Sequence, residues 1–176
     1  MLTVNKVSVP LAGIDVRGKL TVNNNSEQTI SAIGVSAGGN FVLQSGIINN
    51  LILWEQSVTK ISSGTVENII YLDKNANKLP IIYSDLLADG CEYSDILDSA
   101  AFEAGNPTGF SVKCTHININ SETGECTCCG HQFAVKTENG KDVQYYDDIT
   151  EAAAYSNETP GTAIRLMTDI TEAGAA

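Results

Sequence analysis

Ser45-Gly46-Ile47-Ile48-Asn49-Asn50-Leu51-Ile52 and Ser63-Gly64-Thr65-Val66-Glu67-Asn68-Ile69-Ile70 match at a shift of 18 residues, with Ser, Gly and one Asn identical. Few folds accept so short a period. It is about the length of one coil of a small β-solenoid, in which each residue lies one inter-strand spacing, roughly 4.8 Å, from its equivalent in the next coil. On this reading Gly46 and Gly64 make the corner, and Asn50 and Asn68 form a side-chain ladder. Carried one period back, the shift sets Ile30 under Ile48 and Val66, and Ile33 under Leu51 and Ile69. The segments LTV, TISAIGV, NFVL, IINNLILW, SVTKI and TVENIIYL between residues 20 and 72 are short and β-branched, and Gly, Asn or Ser separates them. No helical period competes with them. Two consecutive strands of an ordinary sandwich would explain the strand content but not the period.

Beyond Leu72 the pattern changes. YSDLLADG is expected as a short helix capped by Ser84 and closed by Gly90, and DILDSAAFEAG as a second helix. The run Asp73-Lys74-Asn75-Ala76-Asn77 imitates the opening of a calcium loop. However, Lys78 stands where that loop needs Gly and Ser84 where it needs Glu, so Asx turns are the better reading. In the tail, AVKT and VQYY flank the turn Glu138-Asn139-Gly140-Lys141 as a hairpin. Asp147 or Asp148 then caps the helix DITEAAAYS, and Pro160-Gly161 turns the chain into a last strand, AIRLM.

The cysteines carry the most chemistry. Four of the five, and both histidines, lie between Cys114 and His131. Cys126 to Cys129 is a CxxC closed by Gly130, the form of a zinc knuckle: two thiolates converge on one ion while glycine lets backbone amides turn toward the sulfurs. Cys114 and His116 complete a tetrahedral set with Cys126 and Cys129, and Cys128 then points away; Cys128 and His131 remain alternatives for a ligand position. Disulfides are the rival account. An odd count of five would leave one thiol over, and pairing does not explain why the histidines gather here. Structural zinc is therefore the expected cofactor, with no position open for a catalytic water.

The charge narrows the partners. The first 72 residues are balanced, so the net −11 and the pI near 4.4 arise in residues 73–103 and 138–176. Such a chain repels phosphate, and neither nucleic acid nor insertion into a membrane is expected. No run of 18 apolar residues and no export signal occurs in the sequence. Met1 stands directly before an apparent strand and the chain stops in Ala-Gly-Ala-Ala, as expected of a domain cut from something longer.

Taken in order, the Gly-punctuated repeat, the phrase LLADG, the unit C-x-H…TG-x-C-x-x-CG and the stretch YYDDITEAAAYSNETPGTAIRLMTDIT resemble the repeated domains of large cell-surface proteins of gut Firmicutes. The resemblance covers nearly the whole chain, with Cys128 an addition to the simplest pattern. It implies pectin-lyase-like coils joined to small linking units, a place on the surface of a Gram-positive cell, and an adhesive or structural role. Implied partners are the neighbouring repeats and a host extracellular protein or glycan, such as a mucin, another glycoprotein or an immunoglobulin. The expected fold is mainly β. A short right-handed parallel β-solenoid with a helical cap fills residues 1–103, a metal- or disulfide-stapled unit 104–137, and a ββαβ tail 138–176.

Two functional classes are set against each other. Glu55 and Asp73 are also 18 apart, and on a solenoid they would stack close to the roughly 5–5.5 Å spacing of a retaining glycosidase pair. No aromatic-lined sugar cleft is evident around them in the sequence, and two histidines leave little for proton transfer, so a non-catalytic module is favoured. Its candidate partner-binding residues are Trp54, Tyr71, Tyr145 and Tyr146.

Overall fold

The computed structural model describes residues 2–4, 13–24 and 29–168, which fall into two compact units divided between His116 and Ile117. The first unit opens with β1 (Leu2–Val4), β2 (Ile14–Val16), β3 (Lys19–Asn23), β4 (Thr29–Ile30) and β5 (Ile33–Val35). It continues through β6 (Asn40–Ser45), β7 (Ile47–Trp54), β8 (Val58–Ile61) and β9 (Gly64–Leu72). The strands are divided between two sheets, alternating along the chain except that β4 and β5 share one. One runs β1-β3-β6-β8, and the other stacks β2, β5, β7 and β9, with β4 also on β7. Every one of these pairings is parallel, giving a β-solenoid of about 3 turns.

The register is the one the repeat dictates. Ile48 lies beside Val66, Asn50 beside Asn68 and Leu51 beside Ile69, all at a shift of 18. Ile30 lies beside Ile48, and Ile33 beside Leu51. In the other sheet Asn40 pairs with Val58 at the same shift, while Lys19 pairs with Asn40 at 21. The longer earlier coil hides the period there.

Stacking turns this register into a core of rows. Val22, Leu43 and Ile61 form one row and Ile33, Leu51 and Ile69 another, all at 0% exposure. Each such aliphatic side chain withdrawn from water contributes roughly 1.5–3 kcal/mol against the ordering of the chain. The corner also follows the sequence: Gly46 and Gly64 have φ of +122° and +114°, and a Cβ on Gly64 would overlap the carbonyl oxygen of Gly46. The asparagines differ from the expected ladder. Asn50 and Asn68 are exposed, and each amide donates to a backbone carbonyl of the coil before, Ser31 at 3.1 Å and Asn49 at 3.3 Å. Those carbonyls are the nearer acceptors once the side chains turn outward.

The stack is closed by antiparallel strands rather than by two helices. The stretch YSDLLADG gives only a 3₁₀ turn at Tyr83–Leu86, and Ser84 does not cap it: the capping position is Ile82, with no side-chain bond. Part of the expected second helix belongs to a strand, β10 (Cys91–Ile96), followed by a short helix, α1 (Ser99–Glu103), capped by Asp98. β11 (Phe110–Cys114) lies between β10 and β9, antiparallel to both. Tyr83, Tyr93, Phe102 and Phe110 pack together at this end, with Tyr83 stacked on Phe102 at 4.1 Å. The Tyr93 hydroxyl donates to the Tyr83 carbonyl at 2.6 Å, and burial pushes its phenol well above the ordinary range. On the other sheet, Lys60 Nζ donates to the Asp85 and Leu87 carbonyls, both at 2.9 Å, and occupies part of the β8 edge.

In the second unit, β12 (Val135–Asn139) lies between β13 (Asp142–Tyr146) and β14 (Ala163–Leu166), antiparallel to both. Between β13 and β14 runs α2 (Ile149–Glu158), whose capping residue Asp148 accepts from the backbone N–H of Thr150 and Glu151. The tail thus has the expected ββαβ order. No described helix is long and apolar enough to cross a membrane.

Candidate metal centre

Cys114 is the last residue of β11, and the chain turns sharply after it. Thr115 donates both its backbone N–H and its hydroxyl to the Gly90 carbonyl, and His116 takes a left-handed φ of +54°. That turn aims the His116 backbone N–H at Cys114 Sγ, 3.3 Å away.

The CxxC segment is built by its own backbone. Gly130 donates to the Cys126 carbonyl at 2.8 Å, with φ +74° at the glycine, and Cys126 donates to the His131 carbonyl at 2.7 Å. Thr127 holds the turn from the other side through the Asn118 carbonyl. Cys126 and Cys129 are buried, and Cys128 is half-buried. Gly130 is needed here because the chain reverses immediately after Cys129.

The thiol sulfurs of Cys114, Cys126 and Cys129 and a ring nitrogen of His116 lie within 4.8 Å of one another. Ligands about 2.3 Å from a tetrahedral ion stand about 3.8 Å apart, so this Cys3His group has the scale to hold one metal ion. It is the group expected from the spacing. His131 is not in it: its Nε2 meets Asp147 Oδ1 at 2.6 Å, and its ring packs edge-on to Phe133 at 4.5 Å. Cys128 falls instead in a second group, with Cys91 and Cys114, whose sulfurs lie within the same distance. The sequence reading missed Cys91, which precedes Cys114 by 23 residues and faces it because the β10–β11 register makes the two Cα partners. Strand alternation around Cys91 was the available signal.

The aromatic candidates are divided between the two units, Trp54 and Tyr71 in the first and Tyr145 and Tyr146 in the second. Tyr71 packs against the core, and Tyr145 and Tyr146 lie on β13 beside Phe133 and Tyr155 respectively. Trp54, half-buried at the end of β7, lines a surface cleft. Glu55 and Asp73 do come to neighbouring coils, following the paired Trp54 and Leu72. However, Asp73 accepts from the Asn75 and Asn77 N–H groups and from the Asn77 side chain, at 2.8, 2.8 and 2.9 Å, which makes it the Asx turn expected in place of a calcium loop. These donors, the Asn77 amide foremost, hold its carboxyl below the usual range.

No protein-family model matches this chain, and neither a curated protein nor a solved structure does.

Proposed function

We propose that the chain is a non-catalytic binding and structural module of a bacterial cell-surface protein, whose partner is a host extracellular protein or glycan: a mucin, another glycoprotein or an immunoglobulin. The observation that carries this reading is the in-register parallel stack, whose rows of buried side chains suit rigid display. The resemblance carried by the sequence motifs supplies the cellular setting. Both carboxylate oxygens of Asp73 accept from donors of its own loop, Asn75 and Asn77, which supports a structural role for this residue.

The Cys3His group is read as a structural zinc site. Three thiolates and one imidazole are soft ligands that favour zinc over calcium or magnesium, and four protein ligands leave no place for a reactive water. Native mass measurement of the whole chain should show one zinc at this group, lost in Cys126→Ser. A chain whose mass is lower by two hydrogens per cysteine pair, with no zinc, would mean disulfides instead.

Surface plasmon resonance of the immobilised chain against purified intestinal mucin and immunoglobulin tests the partner. Binding to one of them that weakens with salt is the expected result, since the charge of −11 favours basic partner surfaces. Release of sugar from mucin, abolished by the double change Glu55→Gln and Asp73→Asn, would overturn the reading in favour of a glycosidase.

A further inference from the structure

Three consecutive corners of the stack meet at one end of the sheet that holds β5, β7 and β9. The pairs Val35–Leu53 and Trp54–Leu72 carry Ser36, Trp54 and Leu72 into one row. Leu53 is buried, so strand alternation turns Trp54 to the outer face. There Ser36, Ala37, Trp54, Glu55, Gln56 and Lys74 line a cleft of about 450 Å³.

Gln56 is out of place by local rules. It has φ +67° in a turn closed by the Ser57 N–H donating to the Trp54 carbonyl at 2.9 Å. One coil earlier the same turn, closed by Gly39 N–H on the Ser36 carbonyl at 2.8 Å, holds Gly38 at φ +76°. Glycine adopts that conformation freely, whereas a residue with a Cβ is strained in it. Here the strained position carries an exposed amide at the rim of the cleft. Strain of this kind gathers at ligand-holding positions.

We infer that this cleft binds one neutral pyranose unit of a glycan, an inference that rests on the reading of the chain as a binding module. A pyranose presents a face of C–H groups, which packs on an aromatic ring, and a rim of hydroxyls that both donate and accept. Trp54 supplies the flat apolar surface. Gln56 can donate and accept, Glu55 accepts and Lys74 donates. The Ser36 hydroxyl donates to Asp15 Oδ1 at 2.8 Å, which leaves its oxygen to accept. The charges of Glu55 and Lys74 offset each other, and the chain's −11 opposes an acidic sugar. Trp54 and the folded corners place a cleft with an aromatic wall beside Glu55, where none was evident in the sequence.

Trp54 is the chain's only tryptophan, so its emission reports directly on the cleft. The full chain is titrated with the methyl glycosides of glucose, galactose, fucose, N-acetylglucosamine and N-acetylgalactosamine, and with sialic acid. A saturable change with at least one neutral glycoside is expected, with sialic acid about tenfold weaker. Gln56→Gly relieves the backbone and keeps the fold, yet should weaken the same glycoside about fivefold or more. A flat response to every neutral glycoside at tens of millimolar, or wild-type affinity in Gln56→Gly, overturns the proposal. If Trp54→Ala, titrated by calorimetry, keeps full affinity for the same glycoside while the native chain binds mucin, the cleft is wrong and the module reading stands. Glycoside binding without mucin or immunoglobulin binding has the opposite meaning: the cleft stands and the host-protein partner falls.

Discussion

Alanine substitution at two corner glycines separates the strain of a backbone conformation from the closeness of two coils. Gly38 has φ +76°, and a Cβ there would meet no atom within 4 Å, while Gly64 has φ +114° and its Cβ would overlap the Gly46 carbonyl oxygen. Gly38→Ala therefore adds only left-handed strain, about 1 kcal/mol, in a turn whose counterpart one coil later already accepts Gln56. Gly64→Ala adds strain in a less accessible region, about 2 kcal/mol, and forces the coils apart at a packed corner for roughly 1–3 kcal/mol more. The sum is about 3–5 kcal/mol, a large part of the stability of an ordinary domain. Thermal denaturation followed by the emission of Trp54, which lies in β7 between the two affected corners, reads this unit selectively. The thermal midpoint of Gly64→Ala should fall by roughly 10 °C or more, and that of Gly38→Ala by only a few degrees. Equal losses in the two variants would refute the reasoning, because close stacking of Gly64 on Gly46 would then have no energetic consequence.

Two further outcomes follow from local geometry. Asp148→Ala removes the acceptor for two N–H groups at the start of α2 and should destabilise the second unit by about 1 kcal/mol, read from helical circular dichroism against temperature; an unchanged midpoint would remove the cap from the account. Asp73 is held below its ordinary value of 3.8 in the fold and regains that value when unfolded, so protonation favours the unfolded chain. The stability it contributes is present above about pH 4 and is lost as pH falls through the folded value, so Asp73→Asn should show a smaller drop in urea midpoint between pH 5 and pH 3 than the native chain. An identical drop in both would rule out this carboxyl as a source of acid sensitivity.

The solenoid could be read in the chain because its contacts repeat at a fixed sequence distance: the same shift that aligns Ser45-Gly46 with Ser63-Gly64 sets Leu51 beside Ile69. Parallel coils make a tertiary contact into a local sequence rule. The tail was legible for a related reason, since a hairpin turn at Asn139-Gly140 and a cap at Asp148 act over a few residues. The candidate ligands Cys114, His116, Cys126 and Cys129 were also marked by short spacings. Cys91 was not, because its place beside Cys114 depends on the antiparallel register of β10 and β11, which no local spacing encodes. The same limit applies to the closing end, where apolar residues that read as helix are drawn into strands and a 3₁₀ turn by the open edges of β8 and β9. The cleft at Trp54 belongs with these, since its walls come from three coils and exist only after stacking. Short-range backbone preference and the repeat were fixed by the order of residues, whereas the features that depend on which edges remain unpaired were decided when the whole chain packed.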